Sequence, residues 1–309
     1  MKTRNPSIEF FRVLMVLGIC WLHAITTCLR VPSPLSRVNY FLYPCVVGFV
    51  FITGWFGVSF SLKRLMRLYG TAVYCGILAW GVNWLVNSNT TLEPIKAVVT
   101  ENWFLKGYVV VILCSPIVNL AVRQRANIKQ FVPPVVMVFG WSFLACAPHV
   151  GVFVPQSPGL TAYSGITLLG IYLVARLINV YGLEEIITNM AIGLVPVSLL
   201  AIGFHYGSYA SPFSLILMAT IFLWFKNRPS MTGRWNKVWL WMSPSLLSVF
   251  LLHASPLGFS LMTEGERCLL EVGVPIDLIY LVVACTTFAI AFILDLPRRY
   301  FVVLWKRFI

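Results

Sequence analysis

Charge is what this chain has least of. Only 11% of its 309 residues are Asp, Glu, Lys or Arg, and the acids number 10, where a soluble domain carries roughly a quarter charged residues. With 59% hydrophobic residues, too little polar side chain remains to cover a soluble globule, and a disordered chain is excluded outright. Any Cys-x-x-Cys pair is also missing. The cysteines, Cys20, Cys28, Cys45, Cys75, Cys114, Cys146, Cys268 and Cys285, are scattered and mostly sit inside apolar runs. That argues against a disulfide framework and against a zinc site. What is present is apolar residues, giving a mean hydropathy of +0.84, the composition of a polytopic helical membrane protein.

A span needs about 20 largely apolar residues. The sequence predicts an all-α chain of about ten transmembrane helices, near 8–28, 41–60, 69–86, 103–122, 131–147, 160–177, 186–206, 212–225, 238–262 and 277–295. Residues 186–225 hold no Asp, Glu, Lys or Arg, and the turn-forming run Gly207-Ser208-Tyr209-Ala210-Ser211-Pro212 divides them into two helices. The stretches 131–147 and 212–225 are short for a crossing. Loops around 87–102, 148–159, 226–237 and 263–276 are too small for a soluble domain, so a single membrane-embedded domain over 1–309 is expected. No internal repeat of the transporter kind stands out.

The excess of 23 Lys and Arg over 10 acids reads as orientation. With the N-terminus inside, the outer loops hold only Arg30, Arg37, Lys96, Lys106 and Arg267, while the inner segments hold nearly all the other cations. Both termini are therefore expected in the cytoplasm, and nucleic acid is not an expected partner. The first apolar stretch carries Glu9 and Arg12 and lacks a small-residue cleavage site in the right place, so it is read as a retained helix.

Ionisable residues within a transmembrane helix cost several kcal/mol and mark functional candidates. The first span has Glu9, Arg12 and His23. Eleven residues are three turns plus about 20°, so Arg12 and His23 share a face roughly 16 Å apart along the axis. Glu9, at i,i+3, is placed to pair with Arg12. An interfacial anchor would explain Arg12 equally well. His253, in the ninth span, is expected at the depth of His23, with Pro244 and Pro256 making local breaks that can open a cavity. His149 and His205 read as polar residues at outer helix ends. At the inner surface, Lys63-Arg64-Leu65-Met66-Arg67 suits either a positive-inside loop or a phosphate site.

Several of these residues fall in an order that resembles the integral-membrane acyltransferase 3 family. Arg4-Asn5-Pro6-Ser7-Ile8-Glu9-Phe10-Phe11-Arg12 followed by Trp21-Leu22-His23 is similar to its opening, with Arg-x10-His in the first helix. Phe49-Val50-Phe51-Ile52-Thr53-Gly54-Trp55-Phe56 resembles its apolar run closed by a Gly-aromatic pair, and Arg64-x-x-Arg67 its Arg-x-x-Arg motif. Trp103-Phe104-Leu105, Ser115-Pro116, Ser211-Pro212-Phe213 and Phe250-Leu251-Leu252-His253 resemble later segments. Lys106, beside the Trp-Phe-Leu run, departs from the pattern.

The resemblance implies a membrane O-acyltransferase, in a bacterial cytoplasmic membrane, that moves an acyl group from cytoplasmic acetyl-CoA or another acyl-CoA to a hydroxyl of a cell-surface or lipid-linked glycan. His23 is then the catalytic histidine and Arg12 its partner, Arg64 and Arg67 contact the acyl-CoA, Glu9 and His253 support the site, and no metal takes part. The chemistry suits the residues. Imidazole can take a hydroxyl proton near neutral pH or carry the acyl group transiently, and apolar walls keep water from the thioester. The pantetheine arm of CoA is of the same order as the roughly 16 Å between Arg12 and His23. A transporter or flippase for a sugar or lipid-linked oligosaccharide is the leading rival. It predicts intramembrane charge spread over several helices, whereas here it gathers in one. A polysaccharide polymerase and a non-catalytic membrane subunit are the others.

Overall fold

A computed structural model describes residues 4–27, 38–87, 91–124, 127–146, 164–206, 208–228 and 233–308. Among these, every regular element is helical. In chain order they are α1 (Pro6–Thr27), α2 (Asn39–Leu42), α3 (Pro44–Phe56), α4 (Leu62–Asn87), α5 (Glu93–Lys96), α6 (Trp103–Arg123), α7 (Val132–Cys146), α8 (Gly165–Val180), α9 (Glu184–Ala201), α10 (Pro212–Asn227), α11 (Arg234–Met242), α12 (Leu246–His253), α13 (Pro256–Glu271) and α14 (Ile276–Phe308). The expectations for Lys2, Cys28, Arg30, Arg37, Arg125, His149, Gly207 and the 148–159 loop lie outside the described residues, as do those for the side chains of Cys146, His205, Lys306 and Arg307.

Six helical stretches are long and apolar enough to cross a membrane: Pro6–Thr26, Asn39–Phe56, Leu62–Leu85, Glu93–Arg123, Glu184–Phe204 and Ile276–Phe301. A seventh is added if Arg234–His253 and Pro256–Glu271, bent by 77° to one another, count as one span. The chain is thus an all-α, multi-pass membrane protein. Each of the ten expected stretches contains helix among the described residues, the ninth as a bent pair, but Ile128–Gly140, Gly165–Val180 and Pro212–Asn227 are shorter than the roughly 20 residues a crossing takes.

Helical structure also reaches into stretches the sequence assigned to loops. The basic cluster 63–67 is not a loop: α4 begins at Leu62, because Lys, Arg, Leu and Met are good helix formers and the Ser61 hydroxyl accepts the Arg64 N–H at 3.2 Å. Residues 263–271 are likewise the second half of α13.

The chain divides into two compact units. Unit 1 comprises 1–39, 66–102 and 230–309. Here α1 lies against α11, α12 and α14, and α13 packs on α14. Phe10 meets Trp239, the Ser243 hydroxyl donates to Glu9, and His23 stacks on His253, so α1 and the α11–α12 run point the same way. On α4, Cys75 reaches the Ser248 carbonyl at 3.9 Å and Tyr74 donates to the Leu294 carbonyl at 2.8 Å. The Arg298 guanidinium lies 3.5 Å from the Thr71 hydroxyl and 3.3 Å from the Pro244 carbonyl. The α4 helix therefore runs with α12, and α14 runs against both.

Unit 2 comprises 40–65 and 103–229 and is centred on α8, which touches α3, α6 and α7, while α10 packs on α3 and α9. Small residues let these helices approach. A Cβ added at Gly54 would stand 2.6 Å from the Tyr172 carbonyl oxygen and 2.8 Å from the Ala175 Cβ. The glycine of the Gly-Trp pair is thus explained by close packing of α3 on α8. Gly54→Val is expected to lower the thermal midpoint of the detergent-purified protein, since overpacking costs about 1–3 kcal/mol or more. Gly193→Val is the control, because nothing lies within 4 Å of a Cβ there; equal midpoints for the two variants would contradict the account.

Candidate active site

Within unit 1 the structure brings His23 and His253 together. The two rings stack with centroids 4.9 Å apart and planes at 28°. Phe259 lies 5.6 Å from His23, and Phe250 meets His253 edge-on at 5.4 Å. His253 is fully buried, whereas His23 is only partly so, which makes His23 the more accessible of the two.

The position of His253 follows from how α12 ends. Its Nδ1 lies 3.0 Å from the Val249 carbonyl oxygen. A carbonyl has no proton to give, so Nδ1 carries the N–H. Its Nε2 is buried and has no hydrogen-bond partner among the described residues. Immediately beyond, the Ser255 hydroxyl donates to the Leu252 carbonyl at 2.5 Å and accepts the Gly258 N–H at 3.2 Å, capping α13, whose first residue is Pro256. Gly258 sits so close to the last carbonyls of α12 that a Cβ would fall 2.5 Å from the Leu252 oxygen. Ser255, Pro256 and Gly258 together make the 77° bend possible. A cavity of about 10 Å³ adjoins His253, walled by Leu252, Leu257, Leu261, Ile290 and Leu294 among others. That is room for one water at most, and none for a thioester on this side of the pair.

The other end of α1 is polar. Arg12 lies 3.1 Å from Glu9 Oε2 and 3.3 Å from Oε1, the pairing expected from the i,i+3 spacing. The Glu9 side chain is 5% exposed and that of Arg12 28%, and Ser243 donates a second hydrogen bond to the carboxylate. Arg4 reaches the same Ser243 hydroxyl at 3.4 Å. By helical rise Arg12 stays roughly 16 Å from His23, so the two do not meet directly.

Arg64 and Arg67 lie in the first two turns of α4 and are exposed. Arg64 bonds back to the Ser59 carbonyl and lies 3.4 Å from its hydroxyl. Among the described residues no acid pairs with either arginine. Two cations at a helix N-terminus oppose the macrodipole, and an anion bound there relieves both. Arg67 is one turn before Thr71, which Arg298 touches, so within unit 1 it lies at the same end as Glu9 and Arg12.

Sequence reasoning missed a fully enclosed charge of unit 1. Asp295 on α14 is fully buried and grips Arg298 with both oxygens, at 2.6 Å to Nε and 2.9 Å to Nη2. Next to it, Arg299 lies over the Trp241 ring, 5.1 Å from its centroid, and 3.3 Å from the Ser245 hydroxyl. The signal was available: Asp295 precedes Arg298 by three residues, as Glu9 precedes Arg12. Arg176 in unit 2 was counted only as an inner cation, yet it is 95% buried, at 5% exposure. Among the described residues no three His, Cys, Asp or Glu gather as a metal would require.

Comparison with family models, with curated proteins and with solved structures returns no match. Motif resemblance and site geometry are what any functional reading of this chain stands on.

Proposed function

We propose that the chain is a membrane acyltransferase of the acyltransferase 3 kind, moving an acyl group, acetyl by preference, from cytoplasmic acyl-CoA to a hydroxyl of a cell-surface or lipid-linked glycan. The observation that carries this reading is the stacking of His23 on His253. Two imidazoles from helices that point the same way meet inside an apolar unit whose opposite end holds Arg12, Arg67 and Arg298. In the proposed reaction His23 takes the proton of the acceptor hydroxyl, the oxygen attacks the thioester carbonyl, and the C–S bond breaks. CoA leaves as the thiol, with the proton returned by His23. Arg67, with Arg12, takes the phosphates of the donor, and Arg64, one turn before Arg67 on α4, adds a further cation. The 77° bend between α12 and α13 is the one feature that favours a carrier instead, since broken helices line the substrate sites of many transporters.

The proposal places ten crossings in a bacterial cytoplasmic membrane with both termini inside. Helix direction supports the count. Because α4 and α12 run the same way, an odd number of crossings separates them. Two long stretches, α5–α6 and α9, lie between, and counting the three shorter helices with them gives the five crossings of the ten-span reading.

The test is purified protein in proteoliposomes with acetyl-labelled acetyl-CoA and isolated envelope glycan. Label in the glycan is expected. Glycan movement without label would support the carrier and overturn the proposal, as would the absence of both.

A further inference from the structure

We infer that unit 2 contains a binding site for a phosphate-bearing anion centred on Arg176, independent of the chemistry proposed for the histidine pair. Arg176 lies near the C-terminal end of α8 and is 95% buried, at 5% exposure. Of the five N–H donors of a guanidinium, one is used: Nη1 donates to the Trp55 carbonyl at 3.1 Å. Its Nε is buried and has no partner among the described residues. The ionisable groups whose charge acts on Arg176 are Tyr172 and Arg123, neither of them a carboxylate. Of the two acids that α9 brings to this end of the unit, Glu184 is bonded to Lys226 and Glu185 is exposed.

Capping α3 does not account for this arrangement. The Trp55 carbonyl, one of the last of α3, already accepts a hydrogen bond from Asn179 at 2.6 Å, so the neutral amide does that work without a buried charge. A guanidinium keeps its charge in proteins, and leaving one buried without a counter-ion is strongly unfavourable. Gly57, with φ of 69°, adds the room. A Cβ there would stand 3.1 Å from the guanidinium carbon, so the absent side chain leaves that face of Arg176 open to an incoming group. Arg123, exposed in the last turn of α6, supplies a second cation. A planar fork backed by another positive charge matches phosphate oxygens better than a carboxylate's single pair. The phosphate can belong to an anionic lipid headgroup or to a soluble phosphate compound.

The experiment is a titration of the full chain, purified in neutral detergent, read as the thermal midpoint. One arm adds inorganic pyrophosphate; the other adds phosphatidylglycerol in mixed micelles, with phosphatidylcholine as control. A saturable rise with pyrophosphate assigns a soluble ligand, and a saturable rise with phosphatidylglycerol alone assigns a lipid. No saturable rise in either arm overturns the site. Arg176→Gln is expected to weaken binding at least about tenfold. Arg176→Lys, which keeps the charge and a donor to Trp55, is expected to weaken it several-fold and decides the matter if the glutamine variant does not fold. Undiminished binding in the folded variant overturns the site. Loss of binding in Arg64→Gln/Arg67→Gln with retention in Arg176→Gln would also overturn it, by moving the anion to the start of α4, and would leave the acyltransferase proposal standing.

Discussion

His23→Ala is expected to reduce acyl transfer to the glycan by about 10²–10⁴-fold, the usual contribution of a positioned general base, while yield and thermal midpoint stay near wild type. The separation is expected because His23 is only partly buried. His253→Gln makes the informative contrast. His253 is fully buried, its Nδ1 is committed to Val249, and it supports the face of the His23 ring. Its replacement is expected to lower both stability and turnover. Arg67→Gln, exposed near the start of α4 and outside the stacked pair, is expected to raise the KM for acyl-CoA with little change in kcat. Initial rates with labelled acetyl-CoA decide all three. Wild-type rates from folded His23→Ala protein would remove the base from the mechanism and with it the role of the pair.

The second large effect concerns stability. Arg298→Ala is expected to destabilise the protein by about 3–5 kcal/mol, because it leaves the Asp295 carboxylate charged, buried and alone. The two groups make a fork at 2.6 and 2.9 Å, with Asp295 fully enclosed. The double replacement Asp295→Asn/Arg298→Gln removes both charges and is expected to recover much of the loss, since a neutral pair spares the desolvation penalty. Arg12→Ala is expected to cost less, because Arg12 remains 28% exposed and Glu9 keeps the hydroxyl of Ser243. Thermal midpoints and the monodisperse fraction on size-exclusion chromatography measure the set. A double variant no more stable than Arg298→Ala would show that packing, rather than an orphaned charge, sets the cost.

Much of this was legible in the residues. Low charge and long apolar runs gave the helices, and the i,i+3 spacing of Glu9 and Arg12 gave their ion pair. Helical rise along two helices pointing the same way placed His23 and His253 at one depth. The stacking itself was not legible, because it depends on a bend made jointly by Ser255, Pro256 and Gly258. Proline announces a break, but only the packed backbone reveals that Gly258 lies against the carbonyls of α12. Arg176 was hidden for a different reason. A cation near a helix end reads as an orientation signal, and its enclosure comes from α3, which is more than a hundred residues away in sequence.

The acid–arginine pairs of α1 and α14 carry a consequence for biosynthesis. Each pair closes within a single turn of its own helix, so it forms as soon as that helix does and awaits no partner. A nascent segment leaving the translocation channel thus presents a dipole to the lipid in place of a bare cation. The first of these helices can thus enter the bilayer before the rest of its unit exists, and the last without waiting to dock on it.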